Sequence, residues 1–218
     1  MTDVPEGMLL VVSGPSGVGK GTIIGQVRQE YPDIQLSVSC TTRLPRAGER
    51  DGEDYRFITD SQFQQMRQSG ELLEWAQVHD RHYYGTPREP VEEAIAAGRT
   101  VVLEIDYQGA WSVREQLGEE AVLVFVAPPS WQALVDRLRK RHTESQQAIE
   151  ERLVSACEEI GHMGIYDYVV INDKLSEAVK QLASIIVAEG HSMPRFDWQR
   201  LRDELLAQSH RSIRGQEI

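Results

Sequence analysis

Cysteine is scarce in this chain. Its 218 residues include only Cys40 and Cys157, which form no C-x-x-C pair and no zinc-ligand spacing. Disulfide scaffolds and zinc modules are thereby excluded, and idle thiols suit a reducing compartment. Long hydrophobic runs are missing too. No apolar stretch approaches the roughly 20 residues needed to cross a bilayer. The acidic start Met1-Thr2-Asp3-Val4-Pro5-Glu6 has no basic region followed by an apolar one, so a secretory signal is not expected. The expected location is the cytoplasm, with no membrane partner. The six histidines fit no metal motif. Positive charge is in deficit: 23 Lys and Arg stand against 34 Asp and Glu, a formal net charge of −11. A general nucleic-acid binder carries a basic footprint instead, so nucleic acid is not an expected partner.

What positive charge there is lies in two clusters, Arg43, Arg46 and Arg50 in one and Arg137, Arg139, Lys140 and Arg141 in the other. In an acidic chain, such clusters suit small polyanions held at defined points. The apolar runs 8–13, 100–105, 121–126 and 168–171 read as near-continuous strands of a parallel sheet covered on both faces. Helical stretches separate them, at about 21–30, 87–97, after Ser130, 146–160 and 175–189. The second of these has Thr86 as N-cap, proline at its first position and Gly98 as its stop. Alternating β and α units imply an α/β domain with right-handed crossovers. Residues 39–84 break that rhythm and read as a small mixed β insertion. For the tail from His191 to Ile218 two readings stand: a helix with Trp198, Leu201 and Leu205 on one face, docking on the domain or on a second subunit in a homodimer, or a solvated or partly disordered segment.

Gly14-Pro15-Ser16-Gly17-Val18-Gly19-Lys20 matches the phosphate-binding pattern GxxxxGK. A strand leads in and a helix leads out, as the chemistry requires. Glycines let backbone N–H groups converge on phosphate oxygens, and the helix adds its positive end. Lys20 supplies a mobile charge for the β- and γ-phosphates. Where the general pattern has Ser or Thr after the lysine, this chain has Gly21 and then Thr22. Either Thr22 reaches phosphate or metal from the next position, or Mg²⁺ is held mainly by nucleotide oxygens and water; the second is expected, with no committed protein ligand.

Several further motifs occur in one order. They are Ser39-Cys40-Thr41-Thr42-Arg43-Leu44-Pro45-Arg46-Ala47-Gly48-Glu49, Asp51-Gly52-Glu53-Asp54-Tyr55-Arg56-Phe57, Leu73-Glu74-Trp75-Ala76, Tyr83-Tyr84-Gly85-Thr86 and Glu104-Ile105-Asp106-Tyr107-Gln108-Gly109. Together with the glycine loop, they resemble the guanylate kinase family over about residues 8–189. The resemblance implies a P-loop kinase fold with a parallel sheet flanked by helices. Its core would span about 8–38, 87–136 and 153–190, with a GMP-binding subdomain at about 39–86 and a helical lid at about 137–152. It implies ATP, with Mg²⁺, and GMP as substrates.

Two arginines three apart, with a proline between, suit a terminal phosphate. In the resembling family Arg43 and Arg46 bind that of GMP, with Tyr55 and Tyr84 adding hydroxyls. Tyr84 is preferred to Tyr83 because it directly precedes Gly85-Thr86. By the same resemblance Glu74 accepts from the guanine N–H groups, Ser39 and Thr86 supply hydroxyls, and Asp106 is a further acceptor. Glu74 taken alone reads as an ordinary strand residue. Arg137 and Arg141, four apart on one helical face, and Arg152 resemble lid arginines closing on ATP, and Asn172 matches the adenine side. The catalytic set implied is Lys20, Arg43, Arg137, Arg141 and Arg152. Two other readings stand beside this one, a non-catalytic module of the same fold and a P-loop kinase for another phosphorylated acceptor.

Overall fold

A computed structural model of the chain describes residues 7–46, 48–78, 82–140 and 146–213. In chain order it runs β1 (Met8–Ser13), α1 (Lys20–Glu30), β2 (Gln35–Leu36), β3 (Cys40–Thr41), β4 (Arg56–Phe57), α2 (Asp60–Gln68), β5 (Leu72–Val78) and β6 (His82–Pro87). Then follow α3 (Arg88–Ala96), β7 (Thr100–Glu104), α4 (Tyr107–Leu117), β8 (Ala121–Ala127), α5 (Trp131–Lys140), α6 (Gln146–Gly161), β9 (Tyr168–Ile171), α7 (Leu175–Gly190) and α8 (Trp198–Ile213).

The larger sheet has the order β2-β7-β1-β8-β9, and every neighbouring pair is parallel. All of β1 is buried, because its side chains alternate between two cores. Leu10 and Val12 pack with Ile23, Ile24 and Val27 of α1 and Leu182 of α7. Leu9 and Val11 pack with Val91 of α3 and Ala110 and Val113 of α4. Burial of each such side chain stabilises by about 1.5–3 kcal/mol, so the α/β layering expected from the apolar runs is the arrangement found.

The second sheet, β4-β3-β6-β5, is built from residues 40–87. It is mixed, with β3 parallel to β4 and antiparallel to β6. The sequence reading missed α2 here. Its signal was legible: Thr59 and Gln62 form a reciprocal capping box, and Phe63 drives into a small core with Cys40 and Leu72. It also missed α4, which begins where Asp106 caps it by accepting from Gly109 N at 2.9 Å.

One boundary needs correction. Helix α3 starts at Arg88 with Pro87 in the N-cap position and no side-chain cap. Thr86 lies in β6 and spends its hydroxyl on Glu74 instead. At the other end, Gly98 takes φ 77° and returns its N–H to Ile95 O, the stop expected of it. Of the stretch 137–152, residues 141–145 lie outside the described residues.

Arg195 ties the tail back, pairing with Glu189 at 2.6 Å and donating to the carbonyls of Glu119 and Glu120. Beyond it α8 forms as expected but does not dock on its own domain, leaving Trp198, Leu201 and Leu205 exposed. No helix among the described residues is long and apolar enough to cross a membrane. Thr59→Ala should remove the α2 cap and lower the unfolding free energy by about 1 kcal/mol, read as a reduced urea midpoint.

Candidate active site

The parallel strands point their carboxyl ends at one edge, where the P-loop opens. Gly19 holds φ 100° as the residue before α1, and a Cβ there would lie 2.6 Å from Asn172 Nδ2. Only glycine fits both demands. Asn172 Nδ2 donates to Val18 O at 2.7 Å. Arg137 donates to the same carbonyl at 3.2 Å and to Asn172 O at 2.6 Å. Asn172 and Arg137 thus brace the loop from its flank. Lys20 folds back on its own loop and donates from Nζ to Gly14 O at 2.5 Å. Arg152, on α6, donates to Ser16 Oγ at 3.2 Å.

A cleft of about 660 Å³ runs from this loop to the second sheet. Lys20, Ser16 and Arg152 line one end, and Ser39, Arg46, Tyr55, Glu74 and Tyr84 line the other, with Asp106 on its wall. Six of the eight residues expected on the acceptor side therefore share one cavity with Lys20 and Arg152, while Arg43, Arg137 and Asn172 do not line it. Thr86 is fully buried behind it, while Arg141 lies outside the described residues.

Glu74 is 3% exposed. Its Oε1 accepts from the Thr86 hydroxyl at 2.6 Å, and its other oxygen is pressed against Gly109, where a Cβ would stand 2.5 Å away. Burial pushes the carboxyl up to about 7, Thr86 partly opposes this, and Asp106 adds to it.

Arg43 is arranged differently from the phosphate-facing fork that its sequence position suggests. Nη1 and Nη2 bridge the two Glu49 oxygens at 2.8 and 2.9 Å, and Nη1 also donates to Leu44 O. Nε donates to Tyr84 Oη at 3.1 Å. With five N–H donors on a guanidinium, one of them remains for a ligand. The group also lies 5.2 Å over the Tyr55 ring. Arg43 holds the Glu49 carboxyl well down, at about 2, and Glu49 raises Arg43 in turn. Arg46 reaches the cleft, its backbone N–H fixed on Glu49 Oε2 at 2.7 Å. Tyr83 stacks on Phe63 away from the cleft at 5.2 Å, so alternation in β6 presents Tyr84.

A smaller recess of about 400 Å³ under the loop is lined by Thr22, Lys20 and the Glu104 carboxylate. A Cβ on Gly21 would come within 3.2 Å of Glu104 Oε2, so the glycine that replaces Ser or Thr leaves room for that oxygen. Two hard oxygen donors fit a Mg²⁺ ion that keeps most of its ligands as water and nucleotide. Among the described residues no three His, Cys, Asp or Glu side chains gather as a metal set.

Sequence reasoning gave no role to Glu49, Glu104 or Glu159. The first two sit inside quoted motifs and could have been raised from them. Glu159 follows Glu158 on an ordinary helix and carries no sequence signal; only its burial marks it out.

A P-loop at the end of a central parallel strand, facing an acceptor-sized cleft in a second sheet, defines a P-loop kinase. Comparison with known proteins narrows the class. The guanylate kinase family model matches residues 6–189. The chain is 51% identical over 189 residues to the guanylate kinase of Symbiobacterium thermophilum, covering 87% of this chain and 89% of that one. It is 48% identical over 184 residues to that of Caldanaerobacter subterraneus subsp. tengcongensis, covering 84% and 88%. The crystal structure of guanylate kinase from Anaplasma phagocytophilum matches with a TM-score of 0.76 at 33% identity, over 93% and 94% of the two chains. This chain belongs to the guanylate kinase family.

Because the folded-state value for Glu74 is raised, the native chain keeps a proton that the unfolded chain loses between about pH 4.5 and 7. Stability therefore falls as pH rises through that window, by roughly 3 kcal/mol for a shift of this size. Glu74→Gln removes the penalty while keeping an acceptor for Thr86. Urea unfolding should show the variant close to wild type at the acid end and more stable at pH 8. Parallel pH profiles would contradict the assignment.

Proposed function

We propose that this chain transfers the γ-phosphoryl group of ATP to GMP, forming ADP and GDP. The observation that carries this reading is the Glu74 carboxylate, buried and held by Thr86 yet opening on the same cleft as the P-loop lysine. Guanine offers N–H donors at N1 and N2, and two carboxylate oxygens are their natural acceptors. Adenine presents a bare N1 acceptor there and would leave the carboxylate unpaired, a penalty that reaches about 10⁴-fold in sites of this kind.

With guanine against Glu74 and Asp106, and with the Ser39 hydroxyl beside it, the phosphate of GMP falls among Arg46, Tyr55, Tyr84 and the remaining N–H of Arg43. The triphosphate lies on the P-loop amides and Lys20. The GMP phosphate then attacks in line. One of its oxygens bonds to the γ-phosphorus, the bond from that phosphorus to the β–γ bridging oxygen breaks, and ADP leaves with that oxygen. The nucleophile is already anionic, so no side chain need act as a strong base. Lys20, with Arg152 near Ser16, opposes the charge that spreads over the transferring group. Thr22 and Glu104 would hold a Mg²⁺ ion brought in with ATP, which would supply neutralisation of phosphate charge. Both thiols are free, which accords with a cytoplasmic enzyme drawing on free nucleotides.

ADP formation measured with GMP, dGMP, AMP and UMP separates this reading from the other two. A kinase for another acceptor would favour a different monophosphate, and a binding module would form no ADP. Lys20→Ala should lower kcat by at least about 10²–10³ with the fold intact. Glu74→Gln should raise KM for GMP by roughly 10- to 150-fold, since hydrogen bonds to a charged group are worth about 1.5–3 kcal/mol, and leave KM for ATP nearly unchanged. Gly109→Ala should act in the same direction by pushing the Glu74 carboxylate aside. Equal losses for both nucleotides would remove Glu74 from guanine recognition.

A further inference from the structure

The two halves of the cleft hang on different parts of the fold. On the donor side, α5 and α6 pack on each other through Leu134, Leu138, Ile149, Leu153 and Ala156. That pair grips the P-loop. Arg137 donates to Val18 O, Arg152 reaches Ser16, and a Cβ on Gly17 would stand 2.7 Å from Leu138 Cδ2. On the acceptor side, Asp106 caps α4 and Gly109 faces the Glu74 carboxylate of β5. Transfer in line requires the two halves to keep one relative position.

Where they meet, the chain leaving α6 is laid along one face of α4. Tyr107, Trp111 and Arg114 are spaced four and three apart, so they share that face. His162, the first residue after α6, stacks on Tyr107, with ring centroids 4.8 Å apart and planes 6° from parallel. It also meets Trp111 edge-on at 6.0 Å. Both are favoured geometries for ring pairs. The His162 backbone N–H bonds to Glu158 O and Glu159 O, so the imidazole is fixed to the last turn of α6. Further along, Arg114 donates to Ile165 O at 3.3 Å and pairs with Asp167 at 2.6 Å. Tyr107 lines the cleft beside Asp106. Arg152 stands ten residues before His162, roughly 15 Å away along the helix.

We propose that His162 is a positioning residue for phosphoryl transfer: its stack on Tyr107 registers α6, and through Arg152 the P-loop, against α4 and the guanine-side wall. The imidazole lies outside the residues that line the cleft and acts through Tyr107. His162 is exposed and Trp111 is 43% exposed, so losing the stack costs little core packing. Each half then keeps its own contacts, but the spacing between donor and acceptor drifts. A misplacement of about 1 Å costs on the order of 10²-fold in rate. This inference rests on the phosphoryl-transfer reading above and adds what holds the two halves in register.

The test compares wild type, His162→Ala, His162→Phe and Arg114→Gln, with kcat and both KM values measured at one pH. His162→Ala should lower kcat about tenfold while KM for GMP and for ATP each stay within about twofold. His162→Phe keeps a ring to stack and should recover most of the rate. Arg114→Gln loosens the same segment farther from α6. It should lower the melting temperature yet hold kcat within about twofold of wild type. Hydrogen exchange of the nucleotide-free chain gives a second readout. His162→Ala should speed exchange in the last turn of α6 and the first turn of α4 while sparing β1 and β8, and His162→Phe should not. A merely structural role would instead raise both KM values, loosen the sheet, and show the same loss in Arg114→Gln. That pattern, a wild-type kcat in His162→Ala, or no recovery in His162→Phe overturns the inference. Wild-type enzyme that forms no ADP with GMP overturns the substrate reading, and the exchange comparison then still decides whether the stack holds α6 to α4.

Discussion

Burial of β1 on both faces is the constraint from which the rest of the site follows. The helical crossovers that cover β1 on both faces also bring its neighbours β7 and β8 alongside it in parallel. Parallel strands end on the same side. The loop after β1, the turn after β7 and the turn after β9 therefore open together, although they are more than 150 residues apart at the extremes. That is how Lys20, Asp106 and Asn172 come to serve one region with no local sequence relation among them. The positive end of α1 adds its field at the same place.

The cleft must accept phosphates, yet Glu74, Glu104, Asp106, Glu158 and Glu159 all line it. Two unit charges 4 Å apart interact by about 4 kcal/mol at an effective dielectric of 20, so the arrangement of these carboxylates decides whether anions can enter at all. Glu74 and Glu159 are both pushed to about 7 by burial, which removes part of their charge from the cleft near neutral pH. Glu49 works in the opposite sense. It is ionised, spent on Arg43 and on the Arg46 backbone, and it fixes the arginine loop without offering a free negative charge to the ligand.

The layered α/β core was legible because its strands are continuous apolar runs, and a run buried on both faces needs no partner information to be recognised. The P-loop was legible because its glycines and lysine are local. The guanine-side residues were reached through a resemblance, since nothing about Glu74 between Leu73 and Trp75 tells a reader that it is buried. Helices α2 and α4 were missed for different reasons. Around α2 the turn-rich composition drowned a genuine capping box. At α4 the helix start overlaps the family-like motif Glu104–Gly109, which hides the Asp106 cap inside it. The engagement of Arg43 by Glu49 could not be read at all, because spacing shows which residues can reach a ligand and not which of them are already occupied.

The same distinction explains why Gly109 matters more than its lack of a side chain suggests. A carboxylate can be held inside the fold only if something leaves room for it, and α4 does so by presenting a glycine to Glu74 Oε2. The desolvation of that oxygen is then borne when the chain folds, not when the purine arrives. On the proposed reading, a guanine reaching the cleft would meet an acceptor already stripped of water and fixed by Thr86, so its two N–H groups would gain hydrogen bonds with little reorganisation. A base without those donors would meet the same bare carboxylate and gain nothing. Acceptor selectivity would then depend on tight packing between α4 and β5, where a single methyl group on the helix is enough to disturb the carboxylate.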